Sequence, residues 1–236
     1  MNPLPQPTGS DRSSPRSSRR FGAGIALALT ALLATACGGS DDAAEPAGSA
    51  PAASDPAASD PALSGIVRDP APQVDLVSLP SLSEPGEDVE FRADEGEIQV
   101  VYFGFTNCPD VCPTTMADLA VALRLMDDEL ADDVDVVMAT VDPDRDLDLL
   151  EGYVTSFVPD ATAIGTEDTE LLEAAGEPFG ASWEVREIDD GSIEVDHSPF
   201  LYAVDDQGKL VLTWQFGASP QDMADDLTTL LTREQA

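Results

Sequence analysis

Four side chains set the chemistry open to this chain. Its 236 residues include 3 Cys and 1 His, so thiol or imidazole chemistry must draw on Cys37, Cys108, Cys112 and His197. That is too few for a disulfide-dense scaffold or a protein with several zinc sites. Cys108 and Cys112 lie in Phe105-Thr106-Asn107-Cys108-Pro109-Asp110-Val111-Cys112-Pro113-Thr114, where a nearly continuous apolar run gives way to a turn and then to helical spacing. In open α/β sheets the carboxyl ends of strands are where ligands bind. Pro113 suits the first helical position, which would make Cys112 the N-cap and lower its thiol pKa through the helix N-terminus.

The Cys-x-x-x-Cys spacing leaves several chemistries open. The pair can close a disulfide, stay as two inert buried thiols, or converge on one metal ion. Two soft sulfurs suit Cu(I), and an added imidazole lets the same site hold Cu(II). Zinc competes, but a structural zinc site wants four protein ligands. The one imidazole belongs to His197, in Glu194-Val195-Asp196-His197-Ser198-Pro199-Phe200, directly before an apolar strand. A lone His is more often a surface or satisfied core residue than a ligand. Periodicity alone does not bring it to the cysteines.

The elements that would position these residues are legible as pattern. Ile98 to Phe105 and Val134 to Val141 read as strands buried on both faces. Thr114 to Leu130 carries Met116, Leu119, Ala120, Leu123 and Met126 at helical spacing, and Leu147 to Phe157 and Thr169 to Phe179 read as further helices. Val74 to Leu79 and Val89 to Arg92 read as short strands around Glu84-Pro85-Gly86-Glu87. Trp183 to Ile188 and Ile193 to Val195 form a strand pair across Asp189-Asp190-Gly191. Phe200 to Val204 and Leu210 to Trp214 form another across Asp205-Asp206-Gln207-Gly208. The chain closes in a helix with Ser219 as N-cap, Pro220 at the first position and Asp222 completing a capping box. This is an α/β domain, residues 66–236, with a mixed sheet and helices on its faces.

Ahead of that domain the composition changes twice. Arg12, Arg16, Arg19 and Arg20 precede an uncharged apolar run, Phe21 to Ala36. The run is shorter than the roughly 20 residues a membrane-spanning helix needs. Basic residues, a short apolar run and small residues make residues 1–36 an export signal. Its end, Leu33-Ala34-Thr35-Ala36-Cys37-Gly38-Gly39-Ser40, resembles the lipobox of bacterial lipoproteins, which implies a lipid on Cys37. Residues 37–65 are rich in Ala, Pro, Ser and Asp, cannot bury a core, and read as a disordered tether spanning about 30 Å as a flexible coil. The domain is then expected on the extracytoplasmic face of the cell membrane, held by lipid alone, where the glutathione pool does not keep thiols reduced. With 46 acidic against 11 basic residues the formal net charge is −35, which excludes a nucleic-acid binder or a protein docked electrostatically on anionic lipid.

Three blocks together resemble the SCO/SenC family: Phe103-Gly104-Phe105-Thr106-Asn107-Cys108-Pro109-Asp110-Val111-Cys112-Pro113-Thr114-Thr115, Val141-Asp142-Pro143-Asp144-Arg145-Asp146, and Val195-Asp196-His197-Ser198. The similarity runs over about residues 72 to 233. It implies a thioredoxin-like fold with an N-terminal strand pair and an inserted hairpin. It implies copper as the bound metal, with Cys108, Cys112 and His197 as ligands. The implied partner is the cytochrome c oxidase subunit that carries the binuclear copper centre, to which copper is delivered. Asn107 departs from the family, in which many members have His there. Pro199 also departs, and by analogy with thioredoxin-like folds its bond to Ser198 is expected to be cis.

Asp142 and Asp196 are candidates for supporting the metal ligands, Asp142 from a strand end and Asp196 by orienting His197. Adjacent residues on an extended segment point to opposite sides, which counts against Asp196. The competing function is a thiol–disulfide reductase acting on the oxidase's copper-ligand cysteines, in which Cys108 and Cys112 are redox-active, a thiol reductant restores them and His197 is less necessary. A thiol peroxidase ranks last, because the nearest Arg in sequence to either Cys is Arg124.

Overall fold

The computed structural model describes residues 62–234. The export signal, Cys37 and the stretch up to residue 61 lie outside the described residues. The backbone order is β1 (Ile66–Val67), β2 (Ser78–Pro80), β3 (Asp88–Glu90), β4 (Ile98–Gly104), α1 (Val111–Leu125), α2 (Asp128–Ala131), β5 (Val134–Thr140), α3 (Pro143–Asp146), α4 (Leu150–Thr155), β6 (Thr162–Ile164), α5 (Thr169–Gly176), a 3-10 turn (Glu177–Phe179), β7 (Trp183–Glu187), β8 (Ile193–His197), β9 (Phe200–Val204), β10 (Leu210–Gln215) and α6 (Pro220–Glu234). Among the described residues no helix is long and apolar enough to cross a membrane.

Six strands form the main sheet in the order β1-β10-β9-β4-β5-β6. β4, β5 and β6 run parallel, while β9 lies antiparallel to β4 and β10 antiparallel to β9. β2–β3 and β7–β8 are separate antiparallel pairs, the N-terminal strand pair and the inserted hairpin of the expected thioredoxin-like architecture. β4 is central and every one of its residues is buried. That is why Ile98 to Gly104, Gln99 apart, reads as a nearly continuous apolar run rather than an alternating one. Its carboxyl end feeds directly into the cysteine loop.

Local chemistry explains most departures from the sequence pattern. The long first helix ends at Leu125, because Met126 takes an extended conformation and its N–H turns back to the Leu123 carbonyl, so Asp128–Ala131 is a separate turn of helix. Leu147 to Phe157 is likewise interrupted, with α3 ahead of it and α4 inside it. Most of Val74 to Leu79 is not strand: β2 takes only its last two residues together with Pro80. β1 and β6 are edge strands of two and three residues, too short to carry a period. The cap of α6 is as read, with the Asp222 amide donating to Ser219 Oγ at 3.1 Å.

One buried carboxylate ties the ends of the domain together. Asp226, on α6 and 2 % exposed, accepts hydrogen bonds from the Ser64 amide at 2.7 Å, the Gly65 amide at 2.9 Å and the Trp214 indole at 2.8 Å. The folded part therefore takes in Ser64 and Gly65, just ahead of the start expected from composition. Removing the carboxylate strands all three donors. Asp226→Ala is expected to destabilise the domain by about 2–4 kcal/mol in urea unfolding. Asp225→Ala, at the exposed neighbouring position, is expected to change stability by no more than about 0.5 kcal/mol.

Candidate metal centre

The site forms where the chain leaves β4. Thr106 and Asn107 follow the strand, Cys108 sits in the turn, and α1 opens three residues later at Val111. Helix α1 begins earlier than Pro113 suggests, with Asp110 in the N-cap position. Cys112 is consequently inside the first turn and fully buried. Its amide donates to Cys108 Sγ at 3.2 Å, so this N–H of the first turn serves Cys108. The expected lowering of the Cys112 pKa is reversed: burial pushes its thiol up to about 12, because a thiolate in this setting is stripped of water.

His197 arrives from the other side of the sequence. It ends β8, directly opposite Trp183 on β7. The Trp183 ring stacks on Phe103 of β4, with centroids 6.0 Å apart and planes at 12°. Its far edge lies over Gly176, where a Cβ would come within 2.6 Å of the indole. Glycine at 176 and an aromatic at 183 thus let the hairpin settle on the sheet. That seats His197 over the cysteine loop, with its ring meeting Phe105 and Tyr102 edge-on at 5.6 and 6.0 Å between centroids.

The result joins residues 85 positions apart: His197 Nε2 lies 3.3 Å from Cys112 Sγ. The ligand atoms of Cys108, Cys112 and His197 all lie within 4.8 Å of one another. His197 Nδ1 is 3.1 Å from the Ser198 carbonyl. Since a carbonyl only accepts, Nδ1 carries the proton and Nε2 presents its lone pair to the cysteines. Burial lowers the His197 pKa, with hydrogen bonds to backbone carbonyls offsetting this only in part, so the ring is held neutral, as a metal ligand must be. Among the described residues no fourth His, Cys, Asp or Glu joins the group. Two thiolates and one imidazole fit copper and fall short of the four ligands of structural zinc.

The two acidic candidates separate from the site. Asp142 is buried and engaged by Arg145, whose Nε donates to it at 2.6 Å. Asp196 faces outward and pairs with Arg186 at 2.8 Å, so it does not orient His197, and a backbone carbonyl does. The residue that sequence reasoning passed over is Asp146, four places beyond Asp142 in the quoted block. Fully buried, it accepts from the Thr106 amide at 2.8 Å, Thr106 Oγ1 at 2.5 Å and Thr140 Oγ1 at 2.9 Å. It thereby clamps the entry of the cysteine loop to the end of β5. The only sequence signal for it was its place in that block.

The Ser198–Pro199 bond is trans, contrary to expectation, since the one cis peptide bond among the described residues is Asp69–Pro70. The chain passes from β8 to β9 with Ser198 and Pro199 as the only residues between the strands, and the Ser198 amide is held by the Ser182 carbonyl at 2.9 Å. Asn107 is exposed and reaches back to Thr106 Oγ1 at 3.4 Å, outside the ligand group.

Comparison with known proteins agrees with this geometry. The family model described as SCO1/SenC matches residues 81–232. An SCO2-like protein of Rickettsia felis is 29 % identical over 142 residues, covering 58 % of this chain and 68 % of that protein. The structure of Bradyrhizobium japonicum ScoI with copper bound is 28 % identical, has a TM-score of 0.55, and covers 64 % of this chain and 94 % of that one. Arabidopsis thaliana ScoI with copper bound is 26 % identical, has a TM-score of 0.56, and covers 66 % and 96 %.

The unequal exposure of the two thiols has a direct consequence. Cys108 is half-buried and Cys112 is buried with its pKa raised. Under limiting iodoacetamide at pH 8, peptide mass spectrometry is expected to find Cys108 modified at least about tenfold faster than Cys112, the thiolate being the reacting form. Equal labelling would contradict the burial of Cys112.

Proposed function

The chain belongs to the SCO1/SenC family, and on that premise we propose that it is a copper metallochaperone serving the binuclear copper centre of cytochrome c oxidase. The observation that carries this reading is the convergence of Cys108, Cys112 and His197 within 4.8 Å. Copper is here the cargo. In this reading each domain takes up one ion on the two Sγ atoms and His197 Nε2, and passes it on by ligand exchange to the oxidase subunit. Two thiolates with a neutral imidazole give the Cu(I) site a net charge of −1 and leave the Cu(II) site neutral. Half-buried Cys108 and His197 give an incoming ligand its approach, whereas Cys112 is covered.

Each thiol must lose its proton to bind. Affinity therefore weakens as pH falls, and the raised Cys112 pKa extends that dependence to higher pH. Cys108→Ala and Cys112→Ala are expected to abolish tight binding of either oxidation state. His197→Ala is expected to cut Cu(II) affinity more than Cu(I) affinity, because two thiolates alone suit Cu(I). Competition titrations with chromophoric chelators measure both. Unchanged Cu(II) affinity and an unchanged thiolate-to-copper absorption band in His197→Ala would remove His197 from the ligand set.

A second reading is favoured by the unequal thiols. Reachable Cys108 beside covered Cys112 matches an attacking and a resolving cysteine, as a reductase of the oxidase's copper-ligand thiols would need. In that case His197→Ala retains exchange activity on a disulfide substrate while copper binding falls.

The N-terminal residues complete the proposal. Residues 1–36 direct export, Cys37 carries the lipid, and the stretch from there to the folded part, which takes in Ser64 and Gly65, tethers the domain at the extracytoplasmic face of the membrane. Mass spectrometry of the membrane fraction is expected to find a mature protein beginning at lipid-modified Cys37, and Cys37→Ser is expected to release the protein from that fraction. An unmodified Cys37 on membrane-bound protein overturns the assignment.

A further inference from the structure

Several large apolar side chains of this chain meet water, and one of them, Phe216, stands beside the metal centre. It is 44 % exposed. Gln215, the last residue of β10, pairs with Phe200 at the start of β9, and His197 lies just before Phe200. The end of the sheet that carries the site is therefore also the end at which Phe216 emerges. The Ala218 amide closes a turn on the Gln215 carbonyl at 3.0 Å, and Gly217 takes a φ of +86°, a conformation that residues with side chains disfavour. This turn joins β10 to α6 and presents Phe216. A small recess there is lined by Phe216 together with Thr115, Asp118 and Pro199. Thr115 lies about one turn beyond Cys112 on α1, and Pro199 follows His197 after Ser198, so Phe216 reaches the border of the site from a third segment.

A wider groove, of about 480 Å³, lies at the base of the β7–β8 hairpin, with Glu184, Asp196, His197 and Phe200 in its walls. Pro199 lines both the groove and the recess, so the two form one surface with His197 inside it. The middle of that surface is apolar, made by Pro199, Phe200 and Phe216. Its edge is acidic, made by Asp118, Glu184 and Asp196, and no Lys or Arg is among the residues that line either hollow. Arg186 reaches Glu184 and Asp196 from outside but is shared with Glu194, one cation among three carboxylates. Aromatic anchors at the centre and polar groups at the rim are the anatomy of a protein–protein interface. A single exposed phenylalanine needs no explanation in itself. Phe216 differs because it borders a ligand that another protein must reach if the ion is to be handed on.

Building on the copper reading above, we propose that this surface docks the protein that receives the copper, with Phe216 as its anchoring side chain. The recipient presents an apolar hollow bordered by Lys or Arg, next to its own copper ligands. Charge selects this occupant over two others. A second copy of the chain brings the same acidic rim on a molecule of formal net charge −35, and an anionic lipid surface brings phosphate. Both are repelled. A basic rim is drawn in, and complementary charge of this kind speeds the encounter and fixes its register, while the buried aromatic contact holds the complex.

The test follows copper from the loaded full-length protein in detergent to the metal-free copper-centre domain of the oxidase subunit, counting copper on each protein after rapid separation. Phe216→Ala is expected to keep Cu(I) affinity within about twofold of native, by chelator competition, and to slow transfer about tenfold at limiting recipient. Leu76→Ala is expected to change neither. Leu76 is 65 % exposed, but it follows Asp75, which packs against Gly208 in the β9–β10 turn at the far end of the sheet. Native transfer is expected to slow as salt is raised, and Glu184→Lys to slow it further while flattening that dependence. Should Phe216→Ala lose copper affinity, the native protein labelled with 15N reads the same contact: adding the recipient is expected to shift the Phe216 and Ser198 amides and leave Leu76 in place. Native protein that binds no copper, or passes none to this recipient, overturns the proposed function and the docking surface with it. Native protein that transfers copper, with Phe216→Ala transferring equally fast or with the Phe216 amide unmoved by the recipient, overturns this inference alone. So does a native dimer in sedimentation velocity that Phe216→Ala converts to monomer, since the occupant is then a second copy.

Discussion

The approach of His197 Nε2 to Cys112 Sγ, 3.3 Å apart, joins two parts of the chain that share no element. The cysteines belong to the β4–α1 turn, a local product of a strand running into a helix. The histidine belongs to a hairpin inserted ahead of the second half of the sheet. Bringing them together requires the hairpin to be seated, and Trp183 seats it by stacking on Phe103 and lying over Gly176. Large aromatic faces are suited to this role because they fix position through area without needing polar partners. The rigidity of β4, buried along its whole length, supplies the fixed surface on which both halves of the site are measured.

Electrostatics divides the molecule into an outside and an inside that work differently. The surface is overwhelmingly acidic, and ion pairs there, such as Arg186 with Glu194 and Asp196, are exposed and contribute little each. The buried carboxylates do more. Asp226 gathers the incoming chain onto α6 and β10, and Asp146 gathers the cysteine loop onto β5, each through three donors drawn from two segments. A buried carboxylate is tolerable only when its oxygens are filled. The same demand that makes these residues costly therefore makes the loops they hold specific.

A matching economy holds around the thiols. Cys112 keeps its proton because burial makes a lone thiolate costly, and His197 stays neutral for the same reason. Both groups are thus in the low-charge state until a cation arrives. In the proposed function copper supplies the positive charge that lets thiolates exist in a covered place, which couples loading to proton release. The neighbour of the imidazole fits such a cycle, with a backbone carbonyl fixing its tautomer.

Several features were fixed by local physics and so could be read from the residues. The buried runs of β4 and β5, the Ser219 cap of α6, the β7–β8 and β9–β10 hairpins and the identity of the three ligand candidates depend on neighbours in sequence or on there being one His in the chain. The resemblance in three blocks added the order in which those candidates meet. Tertiary structure alone decided the rest. That Cys112 lies within the helix and is buried follows from α1 starting at Val111, and burial outweighs the helix N-terminus on its thiol. That Asp146 and not Asp142 holds the cysteine loop depends on where a short helix lands after β5. The trans Ser198–Pro199 bond follows from the path between β8 and β9. Each of these is a question of which groups are excluded from water together, and water exclusion is a property of packed elements that no stretch of sequence carries by itself.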